Sequence, residues 1–579
     1  LLPYGGQTLV NFSVDTISRL LLLIHYNFVF PFTSILSVVT AFKLNNLSIL
    51  KRSIMSLELN RVLILDNVDQ ICENILKQAG IEVTIKPKLT IEDLIKELNN
   101  HDGVIVRSAT KITEEVLEKV RGLKVVGRAG TGVDNINVDA ATRKGILVMN
   151  TPGGNTLSAA EHTCSLICSL SRSIPQACMT LKGGAWDRKK FMGNELYGKV
   201  LAIVGLGRIG KEVTDRMKSF GMRVIGYDPI VSPETAASWG VEYLTLEEIW
   251  PLADYITVHT PLIPQTKYLI NEKVFRSCKP TVKIVNVARG GIVEEKALLE
   301  ALNKGYCGGA ALDVFEEEPP KDLTLVQHPK VICTPHLGAN TYEAQQRVAV
   351  EIAEQLVAMS QGKQLIGVVN VPALADAGSP LLQPWIELSS SLGILGSSLI
   401  GNSKAKKLRV DFRGSDVSKY PKLLAPALLK GYLKSTYSEV NLVNAPTFAK
   451  DANVEIEVDL NGEDPENSIL LVVECETGQF SLQGELELFK GKIQLYVALI
   501  IVISSSGVNL KGNLQFFLTG FGTDLVGALL ATPLKDAHIT AILSSGNSDE
   551  GYWIVVRTWD PPADIPKPEN CKLMFKTQF

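Results

Sequence analysis

The chain is 579 residues long, room for about four domains at about 150 residues each, and it is 46% hydrophobic against 21% charged, which excludes a chain disordered throughout. Its 58 Lys and Arg against 61 Asp and Glu leave a net charge of -3, without the basic excess of a general nucleic-acid binder. Nine dispersed cysteines, none in a CxxC pair, exclude a disulfide scaffold and argue against structural zinc, so reduced thiols and no metal are expected.

The chain opens on Leu1, and its first methionine is Met55. Residues 20–42, between Arg19 and Lys43, are apolar and long enough to span a bilayer, although Pro31 stands in their middle. Three readings compete for residues 1–54: a membrane anchor or signal, a transit peptide, or sequence ahead of the true start. The last is expected, because regular globular patterning begins right after Met55.

From residue 61, short apolar strands alternate with amphipathic helices. Residues 61–66 (RVLILD), 104–107 and 125–128 read as strands, and 70–79 and 114–120 as helices. A second series of the same kind runs from 199 to about 336. Continuous Val, Ile and Leu runs between helices predict parallel sheets covered on both faces, so two α/β domains follow in series. A long helix is predicted over 341–361, then a Pro, Ala and Gly-rich linker over 371–376 and 378–384. The apolar run 493–503 is too short to span a membrane and reads as a buried strand pair or an insertion. Residues 513–519, 538–543 and 552–558 read as strands and 524–531 as a helix, with a turn at Gly546 and Asn547; after Asp560 the chain is Pro-rich.

The sharpest motif is residues 199–229, KVLAIVGLGRIGKEVTDRMKSFGMRVIGYDP. A strand over 200–204 meets Gly205, Gly207 and Gly210 in G-x-G-x-x-G spacing; a helix, a second strand over 223–227 and Asp228 follow. Gly205 permits the tight turn, Gly207 lets the backbone approach a pyrophosphate, and Gly210 lets helix and strand pack closely. The helix N-terminus offers free N–H groups to the phosphates. A carboxylate at Asp228 accepts from ribose hydroxyls and repels a 2′-phosphate, which favours NAD over NADP.

Nicotinamide only exchanges hydride, so the protein must orient the substrate and handle the proton. Strand ends in a doubly wound sheet are where such groups belong. The strand over 283–288 ends in Arg289, that over 309–314 leads to Glu316, Glu317 and Glu318, and that over 331–335 ends at His336. A histidine backed by a carboxylate is a base of suitable pKa, and an arginine fork would bind a substrate carboxylate and polarise its C2 oxygen. Each has a plainer reading: a surface histidine, a solvated acidic run, a surface ion pair. At three strand ends beside a dinucleotide fingerprint, the catalytic reading prevails.

These residues sit in blocks that resemble the D-isomer-specific 2-hydroxyacid dehydrogenase family: GVIVRSATKIT (103–113), VVGRAGTGVDNINVDAATRKGILVMNTP (125–152), the IVGLGRIG fingerprint, ITVHTPL (256–262), VNVARGGIVEE (285–295), ALDVFEEEPP (311–320) and TPHLGANTYEAQ (334–345). The resemblance is strong over about 55–371 and weaker beyond. It implies a catalytic trio of Arg289, Glu318 and His336. It implies cofactor contacts at Thr131, Gly205, Gly207, Arg208, Ile209, Gly210, Asp228, Thr260, Val287, Ala288, Asp313, Leu337, Gly338 and Ala339. Arg107, Arg128 and Asn155 would bind substrate, and Arg188, in a basic trio with Lys189 and Lys190, would reach substrate phosphate in a partner subunit or else be solvated.

The fold implied is α/β, with two doubly wound parallel-sheet domains and a C-terminal α+β extension. A split flavodoxin-like substrate domain (55–152 and 337–370) would embrace a Rossmann NAD domain (153–336), followed by an intervening domain (371–505) and a regulatory-type module (506–579). The implied activity is NAD-dependent oxidation of 3-phospho-D-glycerate to 3-phosphohydroxypyruvate, the entry to L-serine synthesis, by a cytoplasmic homodimer or homotetramer with no nucleic-acid or membrane partner. The alternatives are a glyoxylate or hydroxypyruvate reductase, and a non-enzymatic NAD-sensing corepressor-type scaffold of the same family.

Overall fold

A computed structural model describes residues 59–400, 405–475, 478–489, 492–502, 515–517, 539–545 and 552–558. Residues 1–54, with the apolar stretch 20–42, and the helix expected over 524–531 lie outside the described residues.

The first sheet holds β1 (Arg61–Ile64), β2 (Glu82–Ile85), β3 (Gly103–Val106), β4 (Val125–Arg128) and β5 (Leu147–Asn150), all parallel, in the order β2-β1-β3-β4-β5. That is the flavodoxin-like order, with its switch point between β1 and β3. Helices on both faces bury these strands, and β3 is buried at all four positions, which is why it reads as an unbroken apolar run.

The second sheet holds β6 (Val200–Val204), β7 (Arg223–Tyr227), β8 (Glu242–Tyr243), β9 (Tyr255–Val258), β10 (Lys283–Asn286), β11 (Gly309–Leu312) and β12 (Val331–Cys333). Its order is β12-β11-β10-β9-β6-β7-β8, again parallel throughout, with the reversal between β6 and β9. Helix Thr156–Arg172 carries the chain over from the first sheet and buries Leu166, Ile167 and Leu170 with Leu201, Ile203 and Val285. Helix Tyr342–Ser360 carries it back, burying Val348, Ile352 and Leu356 with Ile64, Val125 and Met149. The segment after that helix seals the edge of β5: Asn150 N–H donates to the Gly367 carbonyl at 2.8 Å, and Val148 N–H to Asn370 Oδ1 at 3.0 Å.

The stretch expected as a linker is packed instead. It forms a 3-10 turn over Pro372–Gly378, with Leu374, Ala377 and Leu382 buried, because its prolines confine the backbone while its apolar side chains still find the core. Beyond it, helices Gln383–Ile400 and Pro421–Leu433 cover a six-stranded mixed sheet of β13 (Ala405–Arg413), β14 (Glu455–Asn461), β15 (Ser468–Cys475), β16 (Gly478–Phe489), β17 (Lys492–Val502) and β18 (Gln515–Phe517), ordered β14-β13-β15-β16-β17-β18. The apolar run 493–503 does not make a strand pair. It forms the single strand β17 between β16 and β18, since it contains no Gly, Pro, Asn or Asp to reverse the chain. Strands β19 (Ile539–Ser545) and β20 (Tyr552–Thr558) pair antiparallel, as expected. Among the described residues, no helix is long and apolar enough to cross a membrane.

Candidate active site

Register brings the dinucleotide cradle together. Val204 lies opposite Tyr227 on one side and Val258 on the other, so Gly205, Asp228 and His259 emerge side by side. Gly205 has φ +98°, and a Cβ there would stand 2.6 Å from the His259 carbonyl oxygen. A Cβ on Gly210 would stand 2.1 Å from the Gly205 oxygen, whereas one on Gly207 meets nothing within 4 Å. Gly205 and Gly210 are thus required by the protein's own backbone, while Gly207 faces open space at the start of helix Arg208–Lys218.

Asp228 has a second task that the sequence did not disclose. Its Oδ2 accepts from Leu206 N–H at 2.8 Å, and its Oδ1 from Ile230 N–H at 2.8 Å and Val231 N–H at 3.2 Å, so the acid pins the glycine turn. Arg208 donates to the Pro152 carbonyl at 3.1 Å, and Ile209 is half-buried beside it. Thr260 Oγ1 is buried without a hydrogen-bond partner at the same strand ends. An orphaned hydroxyl beside an open helix N-terminus fits a dinucleotide that would supply its acceptor or donor.

The proton-handling groups meet at the ends of β10, β11 and β12, where Asn286 faces Leu312, and Leu312 faces Cys333. Buried Asn286 shapes the first turn: its Nδ2 donates to the Arg289 carbonyl at 2.8 Å, and its Oδ1 accepts from Ala288 N–H at 3.0 Å, which also fixes Val287 and Ala288. His336 takes φ +54°, a left-handed conformation costly for a residue with a Cβ. Its own N–H donates to the carbonyls of Asp313 and Thr334 at 2.9 and 3.0 Å, which holds it there.

Its Nδ1 lies 2.7 Å from Glu318 Oε2, while Glu318 Oε1 accepts from Phe315 N–H at 3.1 Å. The Glu318 hydrogen bond raises the His336 imidazole above its ordinary value against the opposing effect of burial. Burial pushes the Glu318 carboxyl up, but the His336 and Phe315 hydrogen bonds outweigh it and hold it below the usual range. Glu316 and Glu317 are engaged elsewhere, with Tyr268 and Lys321.

Asp313 is wholly buried beneath this turn. It accepts from Thr334 Oγ1 (2.6 Å), Leu337 N–H (2.7 Å), Gly338 N–H (2.8 Å) and His162 Nε2 (3.2 Å). Burial alone would raise its pKa, but these donors lower it, so it is a carboxylate. Asp313 therefore anchors Leu337 and Gly338, and Ala339 is fixed in turn by Gln345, which donates to its carbonyl at 2.8 Å.

Across the crevice, Val106 faces Arg128 and Arg128 faces Asn150, so Arg107 and Arg128 emerge from the first sheet. Burial, with Arg107 and Arg289 as positive neighbours, pulls the Arg128 guanidinium down to about 10, and its Nε is buried without a partner. Burial also lowers Arg107, against the pull of Asp66. Three mutually repelling guanidiniums, one with an unpaired buried donor, form a site for an anion. Thr131 Oγ1 donates to Asn155 Oδ1 at 2.7 Å, which places both at the junction into helix Thr156–Arg172. Arg188 stands on an exposed 3-10 turn, Arg188–Phe191, and is not among the charges that act on Arg128. Sequence reasoning passed over Asp134, Asn286 and His162; the first two stand within blocks it had singled out, while His162 lies ten residues beyond the nearest one.

Residues 164–338 match the family model for the NAD binding domain of D-isomer specific 2-hydroxyacid dehydrogenases, and residues 381–495 match the D-3-phosphoglycerate dehydrogenase intervening domain. A D-3-phosphoglycerate dehydrogenase of Sus scrofa is 55% identical over 410 residues, 70% of this chain and 77% of that one. One from Homo sapiens is 56% identical over 400 residues, 69% and 75% of the respective chains. A solved glyoxylate reductase from Paecilomyes thermophila superposes with a TM-score of 0.50 at 27% identity, covering 54% of this chain and 98% of its own. With the two sheets and their crevice, this places the chain in the D-3-phosphoglycerate dehydrogenase branch of the D-isomer-specific 2-hydroxyacid dehydrogenase family.

Proposed function

We propose that this crevice oxidises 3-phospho-D-glycerate to 3-phosphohydroxypyruvate, the first step of L-serine biosynthesis, with NAD as cofactor. The observation that carries the choice of substrate is the convergence of Arg107, Arg128 and Arg289, with Arg128 Nε buried and unpaired. A substrate with an anionic group at each end satisfies such a cluster better than a singly charged hydroxy acid.

NAD, held by the 205–210 turn, Asp228 and Thr260, supplies the hydride acceptor when bound. Glu318 accepts from His336 Nδ1–H, which leaves Nε2 free as the base that takes the substrate hydroxyl proton. The imidazolium formed is then stabilised by the same carboxylate. Arg289 grips the substrate carboxylate and draws charge toward the C2 oxygen, while Arg107 and Arg128 take the phosphate. Solvent reaches 47% of the His336 side chain and 37% of that of Glu318, so the crevice must narrow around substrate to exclude water.

The same reading extends to assembly and place. Ile174, Met179, Leu181, Trp186, Met192 and Tyr197 are exposed across one stretch of the NAD-binding half, an apolar surface suited to a second copy of the chain in a dimer or tetramer. Arg188 stands on that stretch and is the candidate for a phosphate contact in the partner's crevice. A reduced-thiol, cytoplasmic enzyme agrees with the eight free cysteines among the described residues.

A single-turnover assay with NAD and a panel of 2-hydroxy acids tests the proposal. NADH should form from phosphoglycerate well ahead of glycerate, lactate and glycolate. NADH from glycerate with none from phosphoglycerate would reject it and favour the hydroxypyruvate reductase.

A further inference from the structure

Arg289 is held from two directions. Its Nη1 donates to the Ala288 carbonyl at 2.6 Å, within its own strand-end turn. Its Nε donates at 2.9 Å to Oδ2 of Asp134, which lies on the loop after β4, in the other sheet. This ion pair joins residues 155 positions apart and crosses the crevice in which substrate must bind. The loop is shaped to admit the guanidinium: a Cβ on Gly132 would stand 1.8 Å from Arg289 Nη2 and 2.7 Å from Asp134 Oδ2.

We propose that Asp134 is a positioning residue for Arg289, turning the guanidinium so that its remaining N–H groups face the substrate carboxylate. The inference rests on the reading of Arg289 as carboxylate ligand and adds what orients it. The donor count supports it. Asp134 occupies Nε–H and Ala288 occupies one Nη1 hydrogen, so the Nη2 edge is left for a forked contact. Charge supports it too: Asp134 and Asp66 are acids that offset the two arginines, Arg107 and Arg289, crowding Arg128.

Stability is not what the pair provides. Asp134 is 66% exposed, and an ion pair with so open an acid contributes little to folding. The effect therefore belongs in turnover rather than in melting.

The test uses the full chain with Asp134→Ala and Asp134→Asn. In Asp134→Ala, kcat should fall about 10–100-fold and KM for the hydroxy acid should rise, the scale of loss for a misaligned reacting group. NADH affinity, read by fluorescence, and the melting temperature should stay as in the unaltered protein. Asp134→Asn, whose amide oxygen can still accept from Nε, should recover to within about threefold of the unaltered kcat. Full activity in both variants, equal loss in both, or a parallel loss of NADH binding would each overturn the inference. The ratios are measured with whichever 2-hydroxy acid the unaltered protein oxidises best, so failure with phosphoglycerate would count against the substrate assignment and leave the Asp134 comparison intact.

Discussion

Two glycine-bearing turns, one after a strand of each parallel sheet, handle negative charge in opposite ways. The turn at 205–210 has no charged side chain in its glycine positions; it offers a helix N-terminus and an open backbone at Gly207. The turn at 130–132 instead wraps its glycines around the protein's own cations. A Cβ on Gly130 would lie 1.8 Å from Arg128 Nη1, and one on Gly132 equally close to Arg289 Nη2. Backbone N–H groups and a helix N-terminus suit the pyrophosphate of a dinucleotide, whereas formal charges suit the small carboxylate- and phosphate-bearing substrate proposed above. Similar residues in sequence thus make room for a ligand in one turn and for arginine in the other.

Four substitutions sharpen or break that contrast. Glu318→Gln should have the largest effect. It acts only on the proton-handling side, so kcat should fall about 100-fold while NADH affinity holds. The sign of the pH effect follows from the raised His336: the base must be neutral to accept a proton, so kcat/KM for oxidation rises with pH through that raised value. Without the carboxylate the imidazole pKa drops, and the rising limb should move to lower pH; a limb that stays in place would mean that Glu318 does not tune His336.

Next come Gly210→Ala and Gly132→Ala, compared side by side. The first pushes a methyl into backbone and should weaken NADH about 10–100-fold, as overpacking of 1–3 kcal/mol implies. The second displaces the tips of Arg289 and Asp134 rather than backbone, so it should lower kcat with NADH affinity unchanged. If both variants lost NADH equally, the division of labour between the two turns would fail. Asp228→Ala should be the mildest. Loss of its backbone contacts and of its charge should cost about tenfold in NAD affinity and relax discrimination against NADP, with the phosphoglycerate KM unaltered. An unchanged NAD-to-NADP ratio would show that the acid serves the turn alone.

What the sequence made legible was local. Glycines, helix and acid fall within one run of 31 residues spanning 199–229, and the strand ends that carry Arg289, Glu318 and His336 are each marked by an apolar run stopping at a polar residue. What it hid was held together across long separations. Asp134 meets Arg289 only because two sheets fold against a shared crevice, and His162 meets Asp313 only because its helix packs on the second sheet. Neither pairing has a spacing that periodicity could reveal. The expected linker at 371–384 and strand pair at 493–503 fail for different reasons: the first stretch has turn-forming residues but buries its apolar side chains, and the second has no turn residue and runs on as one strand.

The apolar core that starts under β1 does not stop at the returning helix. It passes without interruption through Val348, Ile352 and Leu356 to Leu374, Trp385 and Leu388, and on to Phe412 and Leu471 under the C-terminal sheet. The helices and central strands of the C-terminal sheet are therefore no pendant. A version truncated near residue 372 would carry a raw greasy flank into solvent, and would be prone to clump before it ever met its substrate.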